Sequence, residues 1–163
     1  MLKIFTALII GLTFLGCGPI KSAITPSGMF QTVSEKEAVL VQDNDDKKYC
    51  VRCSMDLVKF YKTSHSATHD GKDQQYCSIH CLQDHINEGA AINNAKVVDI
   101  ESLKFIEVSK AHYVVGSSKR GTMSRVSKYA FANLDDAKNF QEKFGGDIMN
   151  FDQAIEKAKE DFR

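Results

Sequence analysis

The sequence predicts an α+β fold built from two small strand–strand–helix–strand (ββαβ) repeats that pack together, followed by a C-terminal helix. The same order of segments occurs in residues 38–103 and 104–163, and the helical segment of each repeat ends at a glycine, Gly89 or Gly145. In addition, Asp70-Gly71 supplies the positive φ values that a tight hairpin needs.

The first repeat combines short apolar segments with turn residues. Four strands are predicted, at 38–41, 57–61, 74–77 and 97–100. Residues 69–72 form the predicted turn that leads into the strand at 74–77. Ser78 is a candidate N-cap for a helix whose apolar residues recur at helical spacing until Gly89.

The second repeat follows the same order. Its strands are predicted at 111–116, 129–131 and 147–149. Asn133 is the candidate N-cap of a helix that stops at Gly145-Gly146. A charged helix is predicted over 152–162.

The N-terminus predicts export. Lys3 precedes an apolar run at 4–15, and this order is typical of a secretory signal, here residues 1–16. The run is shorter than the roughly 20 apolar residues of a membrane-spanning helix. Phe14-Leu15-Gly16-Cys17 resembles a bacterial lipobox, which predicts lipidation of Cys17 and a tether over 17–37. We therefore expect a protein anchored by lipid to a membrane, on the periplasmic face of the cell envelope.

Charge argues against nucleic acid as a partner. Without the signal, which contains Lys3, 20 basic and 21 acidic residues remain. A nucleic-acid-binding domain usually carries a basic excess, and no glycine-rich phosphate-binding motif is present.

Four cysteines follow Cys17, in two close pairs: Cys50, Cys53, Cys77 and Cys81. A two-residue gap lets the first pair turn toward one ion, and a spacing of four places the second pair on one face of a helix. Thiolate and thioether sulfurs are soft donors that select Cu(I), so Met55 joins the candidate ligands. His80 lies inside the second pair, and its nitrogen suits copper or zinc.

Other interpretations of the cysteines remain open. An even number of cysteines in an exported protein often forms disulfides, and a Cys-x-x-Cys pair can be a redox centre. A structural zinc site is a third possibility. Met55, His80 and the short spacings favour a metal, and Met123 is a further candidate ligand in a basic polar loop. The remaining histidines are predicted to be surface or hydrogen-bonded core residues: His65, His69, His85 and His112.

The segment Cys50-Val51-Arg52-Cys53-Ser54-Met55 resembles the Cys-x-x-Cys-Gly-Met motif of the nitrous-oxide reductase accessory lipoproteins, the NosL family. Similar features follow in the same order: an aromatic-then-cysteine turn at 76–82, Val98-Asp99, the strand at 111–115, Met123, Ala130-Phe131, Gly145-Gly146 and Phe151. Ser54 and Ser124 depart from the family's glycines. Cys77 and His80 are additions, and they resemble the cysteine turn of heavy-metal trafficking (TRASH-type) modules.

The resemblance implies two ββαβ units and a periplasmic lipoprotein that binds Cu(I). It points to Cys50, Cys53, Met55, Cys81 and Met123 as site residues. It also implies delivery of copper to nitrous-oxide reductase, an enzyme of denitrification, or to another copper-accepting protein. We therefore expect a metallochaperone rather than an enzyme, with Cu(I) as its metal and zinc as the alternative.

Overall fold

The chain folds into two antiparallel sheets and three helices, which a computed structural model describes for residues 28–161. Within this range, no helix has the length and apolar character needed to cross a membrane. The predicted signal peptide at 1–16, the lipidated Cys17 and the tether up to residue 27 lie outside the described residues.

The first sheet has four strands in the order β2-β1-β3-β4. Its elements are β1 (His65–His69), β2 (Lys72–Tyr76), helix α1 (Ile79–Asn87), β3 (Asn93–Val98) and β4 (Phe105–Glu107). Asp70 and Gly71 join β1 to β2 with φ values of 49° and 72°, which confirms the predicted hairpin. Ser78 is the N-cap of α1, as predicted.

The second sheet has three strands in the order β6-β5-β7. Its elements are β5 (His112–Val115), β6 (Lys128–Phe131), helix α2 (Leu134–Phe144) and β7 (Asp147–Met149), and helix α3 (Phe151–Glu160) follows. The Asn133 side chain accepts a hydrogen bond from the Asp135 N–H and caps α2 as predicted. Asn150 and Gln153 form a capping box that starts α3.

The predicted α+β class and the repeat are both confirmed. In each sheet, a hairpin is followed by a helix, and the next strand returns to pair with the first strand of the hairpin. β4 has no counterpart in the second sheet. The boundary between the two repeats is predicted at residue 103. Because β4 is Phe105–Glu107, the first sheet extends beyond it.

Two predicted strands are wrong. Residues 57–60 form turns, and Tyr61 begins a short 3₁₀ helix, Tyr61–Thr63. The first strand of the sheet is the polar segment β1. Leu57 and Tyr61 are fully buried, so these apolar side chains fill the core from a turn rather than from a strand.

The segment 38–41 is also not a strand. Its backbone pairs with a side chain instead: Gln75 accepts a hydrogen bond from the Val41 N–H at 3.0 Å and donates to the Val39 carbonyl at 3.4 Å. A glutamine side chain thus takes the place of a neighbouring strand, and neither pattern nor propensity could indicate this.

The two repeats share one core. Side chains from α1, β3, β5 and α3 meet there, including Ile79, Val97, Tyr113, Val115 and Ala154. The sheets are also joined through the backbone, because the Ile100 N–H donates to the Ala130 carbonyl at 3.1 Å. Each repeat therefore covers an apolar face of the other.

His65 links the two sheets. It is fully buried on β1, where Nδ1 donates to the Thr63 carbonyl and Nε2 accepts from the Tyr113 hydroxyl of β5, each at 3.1 Å. The rings of His65 and Tyr113 are stacked, with centroids 6.0 Å apart. As predicted, His65 is a hydrogen-bonded core histidine.

Part of the predicted tether packs onto the second sheet. The Phe30 ring lies against Tyr129, Phe140 and Phe144. Gln31 is buried and donates hydrogen bonds to the Arg120 and Gly121 carbonyls. The folded part of the chain thus begins before residue 38.

Acid should weaken the fold through His65. Burial lowers the pKa of His65 to about 3, so His65 stays neutral in the folded protein while the unfolded histidine takes up a proton below about pH 6.5. Between pH 7 and pH 5 this difference should cost about 2 kcal/mol of unfolding free energy.

Urea unfolding of the reduced, metal-free protein at both pH values measures this effect. The variant His65→Gln should lose about that part of the pH dependence, whereas His112→Gln, at a half-buried position on β5, should retain it. An unchanged pH dependence in His65→Gln would show that other groups carry the acid sensitivity.

Candidate metal centre

The first cysteine pair lies in a tight loop between Tyr49 and Asp56, which are paired by an isolated β-bridge. The Cys50 N–H donates to the Met55 carbonyl, and the Ser54 N–H donates to the Cys50 carbonyl, both at 2.9 Å. These bonds close the loop, which brings Cys50 and Cys53 to the same side.

The second pair lies where β2 ends and α1 begins. Ser78 is extended, with φ −161° and ψ 168°, so the chain changes abruptly from strand to helix between Cys77 and Ile79. Cys81 lies in the first turn of α1, close to Cys77. The Thr63 hydroxyl lies 2.8 Å from the Cys77 carbonyl oxygen and supports this junction.

The four thiols meet at one point. All four Sγ atoms lie within 4.8 Å of one another. Cys53 Sγ is 3.5 Å from both Cys77 Sγ and Cys81 Sγ, and these last two are 3.7 Å apart. Two thiolates on one tetrahedral zinc lie about 3.8 Å apart, given a metal–sulfur distance of about 2.3 Å. The four cysteines are free thiols, arranged as a set of metal ligands.

Met55 lies beside this group. Its Sδ is 3.9 Å from Cys77 Sγ, so a thioether is available next to the four thiols. Cys50, Cys77 and Cys81 are buried, and Cys53 is partly exposed. The predicted residues Cys50, Cys53, Met55, Cys77 and Cys81 are thus brought together, although their role as ligands stays a prediction.

The four thiols differ in the direction of their pKa shifts. Hydrogen bonds from Cys77 and Cys81 hold the pKa of Cys50 well below its usual value, and a hydrogen bond from Cys77 lowers the pKa of Cys53 to about 7. Hydrogen bonds to Cys50, together with burial, raise the pKa values of Cys77 and Cys81. The pKa values of the first pair are thus lowered and those of the second pair are raised, and a metal that binds these groups as thiolates displaces their remaining protons.

Met123 lies on the rim of the same site. A cleft of about 480 Å³ is lined by Cys53, Cys81, Arg52, His80 and Met123, among other residues. Met123 is 40% exposed and has a φ of 68°. The cleft thus gives solvent a path to the thiols, with a second thioether beside that path.

The loop that carries Met123 is tied to the rest of the protein on two sides. Thr122 Oγ1 lies 2.8 Å from the Thr63 hydroxyl, which itself contacts Cys77. On the other side, the Ser124 hydroxyl donates to Asp161 at 3.1 Å, and Asp161 also pairs with the buried Lys128. The loop is therefore positioned both by the cysteine junction and by the end of α3.

His80 is placed apart from the four thiols. Its Nε2 lies 3.5 Å from Asp161 Oδ2, near Lys128, and its nitrogens are not part of the group of mutually close ligand atoms. Burial, followed by the positive charge of Lys128, lowers the pKa of His80 to about 4. Its role as a ligand stays a prediction.

Sequence reasoning missed two supports of the site. One is the contact of Thr63 with Cys77 and Thr122, and the other is Arg52, which forms ion pairs with Asp84 and Glu88 on α1. Arg52 thereby holds the first cysteine loop against the helix of the second pair. No signal in the sequence indicates either contact, because the partners are 14 to 59 residues apart.

Comparisons with known proteins identify the family and the fold. The sequence profile of the family described as NosL matches residues 41–158. The crystal structure of the copper chaperone NosL from Shewanella denitrificans resembles this chain with a TM-score of 0.55 at 23% identity. The likeness covers 68% of this chain and 92% of that chain, and at this identity it shows the fold. No curated protein matches the chain.

A glycine at position 54 should stabilise the cysteine loop. Ser54 has a φ of 58°, a left-handed conformation that L residues other than glycine adopt at a cost of about 1 kcal/mol. Since glycine also gains entropy in the unfolded chain, we expect Ser54→Gly to raise the unfolding free energy by about 0.5 kcal/mol.

Urea unfolding of the reduced protein measures this gain. Ser54→Ala is the matched control, because it removes the hydroxyl and keeps the Cβ. An equal gain of unfolding free energy in Ser54→Ala, or a loss in Ser54→Gly, would mean that backbone strain at residue 54 does not limit the stability of the loop.

Proposed function

This chain belongs to the NosL family, and from that premise we propose that it is a lipid-anchored periplasmic metallochaperone that binds Cu(I). We further propose that it supplies copper for the maturation of nitrous-oxide reductase, or of another copper-accepting protein. In this proposal copper is a cargo that is held and passed on, and the protein performs no catalysis of its own.

The observation that carries the proposal is the group of four free thiols within 4.8 Å, with the Met55 thioether next to it. Soft sulfur donors select Cu(I) over hard ions such as Mg²⁺ and Ca²⁺. Cu(I) is stable with few ligands, so a subset of these sulfurs is sufficient to bind it. The structural match to a copper chaperone supports the same assignment.

The cleft supports delivery as opposed to storage. Cys53 is partly exposed and lines the cleft together with Met123. An acceptor's sulfur or nitrogen atom entering there can bind the copper before the last donor thiolate leaves. Stepwise ligand exchange avoids a free ion, and a closed four-sulfur cage would oppose it.

The proposed location rests on the N-terminal sequence. Residues 1–16 have the order of a secretory signal, and Cys17 follows a lipobox-like segment. Several acyl chains on Cys17 would hold the protein durably at a membrane, because each buried methylene contributes about 0.8 kcal/mol.

A structural zinc site is the second candidate. Four cysteines at near-tetrahedral separations are also the ligand set of closed zinc sites. Such a site would be required for folding, so the metal-free protein would unfold. A thiol–disulfide protein would instead cycle between dithiol and disulfide without a metal. Neither alternative explains a methionine at the rim of an open cleft.

We expect the reduced, anaerobic protein to bind one Cu(I) per chain in competition with a chromogenic Cu(I) chelator, and to stay folded without it. The double variant Cys50→Ser/Cys53→Ser should bind copper at least about 100-fold more weakly, because it loses two of the sulfurs. Equal affinity in the double variant would refute the copper proposal. Unfolding on copper removal would favour a structural site.

Met123 should affect transfer of copper more than its binding. Met123→Leu keeps the volume and removes the thioether at the rim, so transfer to a competing acceptor should slow by about tenfold or less, with little change in affinity. Stopped-flow transfer measures this effect. Met29→Leu, at a similarly exposed methionine, is the control. Equal rates of copper transfer in the two variants would show that the Met123 thioether takes no part in the transfer.

A further inference from the structure

We propose that the protein has a second contact with the membrane, a basic surface around Phe30 that binds the headgroups of anionic phospholipids. This inference rests on the lipid anchor at Cys17 proposed above and deepens it, because an anchor alone holds the protein near the bilayer without orienting it. We call this surface the basic patch, and its residues are Met29, Phe30, Lys59, Lys62, Lys119 and Arg120.

Basic residues from separate parts of the chain converge on the segment that begins the folded part. The Lys62 N–H donates to the Gln31 carbonyl at 3.1 Å, and the Lys59 carbonyl accepts from the Thr32 hydroxyl at 2.9 Å. The Arg120 carbonyl accepts from the Gln31 side chain at 2.7 Å. The side chains of Lys59 and Arg120 are exposed. The fold itself thus gathers positive charge around one short segment.

The Phe30 ring holds two further ammonium groups in place. Lys62 Nζ lies 4.6 Å from the centroid of this ring, and Lys119 Nζ lies 4.9 Å from it. Lys119 Nζ is also 4.1 Å from the centroid of the Phe144 ring. An ammonium group at such a distance is attracted by the aromatic ring. Two cations are therefore kept around one aromatic side chain, and both remain partly exposed.

The positive charge of the basic patch is not neutralised from within the protein. Among residues 28–161, no carboxylate forms an ion pair with any of its four cations, whereas the exposed Lys48 is paired. Glu37 interacts electrostatically with Lys62, but its carboxylate accepts hydrogen bonds within its own turn. Asp56 accepts two backbone N–H groups in the turn that carries Lys59. Four cations thus face two carboxylates, which leaves an excess for an external anion.

The position of the basic patch indicates that this anion belongs to a membrane. Eleven residues lead from Cys17 to Gly28, so the proposed anchor holds the patch within about 40 Å of the bilayer. Met29, next to Phe30, is 37% exposed, and an apolar side chain among lysines suits the boundary between headgroups and acyl chains. Basic clusters near a membrane are attracted to anionic lipids, and they strengthen a lipid anchor as a second signal.

Docking of the basic patch also orients the cysteine cleft. Arg120 belongs to the patch, and Met123 on the rim of the cleft follows three residues later, at most about 11 Å away. The Gln31 side chain donates to the carbonyls of Arg120 and Gly121, so it joins this loop to the segment that carries Phe30. A docked patch therefore brings the Met123 side of the cleft close to the membrane surface.

Acylation of lysines in the membrane-bound full chain tests the proposal. The protein is reconstituted into nanodiscs of phosphatidylcholine, with or without phosphatidylglycerol, and the modified lysines are quantified by mass spectrometry. The reporter lysines Lys62 and Lys119 should react at least about threefold more slowly on the anionic discs. About 0.5 M NaCl should abolish this protection, because the Debye length falls to about 4 Å. Lys72 and Lys96, which are exposed on the first sheet, should react equally on both discs.

A pair of charge variants tests whether the basic patch itself is responsible. Lys59→Gln/Arg120→Gln removes two exposed cations and keeps both ammonium contacts with Phe30. This variant should lose at least about half of the protection of the reporter lysines. Lys72→Gln/Lys96→Gln changes the net charge by the same amount and should keep the full protection. Equal loss in the two variants would mean that net charge, and not the patch, governs the contact, which would overturn the proposal.

Equal acylation of the reporter lysines on both kinds of disc would overturn the membrane contact, and so would slower acylation of every lysine alike. Protection by soluble glycerol phosphate on the neutral discs would assign the basic patch to a free phosphate and overturn it as well. The mass of the N-terminal peptide tests the anchor separately. An unmodified Cys17 would refute the anchor, while the protection of the reporter lysines on discs would still decide the patch.

Discussion

The abrupt junction between β2 and α1 is the constraint on which both the sheet and the metal centre depend. β2 ends at Tyr76, Cys77 and the extended Ser78 follow, and Cys81 lies in the first helical turn, so the thiols of Cys77 and Cys81 meet only because the chain turns here. The carbonyl of Gln75, just before the junction, accepts a hydrogen bond from Val51 in the first cysteine loop. A shift of one residue in β2 would therefore separate the two cysteine pairs.

Features that depend on local chemistry could be predicted from the sequence. The Asp70-Gly71 turn, the Asn133 cap and the ββαβ repeat follow from backbone preferences that neighbouring residues determine. The cysteine pairs could be predicted for the same reason, since their short spacings limit where the sulfurs can lie. The family resemblance then added the expectation of copper delivery to nitrous-oxide reductase, which the residues alone do not indicate.

Features that depend on distant partners could not be predicted. β1 has the polar sequence of a loop, yet it is a strand, because His65 forms hydrogen bonds with the Thr63 carbonyl and the Tyr113 hydroxyl inside the core. Residues 57–61 have the pattern of a strand and are not one. The Met123 loop is close to the thiols because Thr63, Thr122 and Asp161 hold it, and those contacts span up to 59 residues.

The packing of Phe30 against the second sheet sets the length of the chain that leads away from the folded part. With Cys17 as the anchor proposed above, thirteen peptide steps separate the lipid from this aromatic contact. At full extension they reach about 45 Å. The cysteine cleft would then stay within a thin layer next to the bilayer. For an acceptor held at the same membrane, this confinement raises the effective concentration of the chaperone. The rate of encounter would then depend more on the length of the tether than on the total amount of protein.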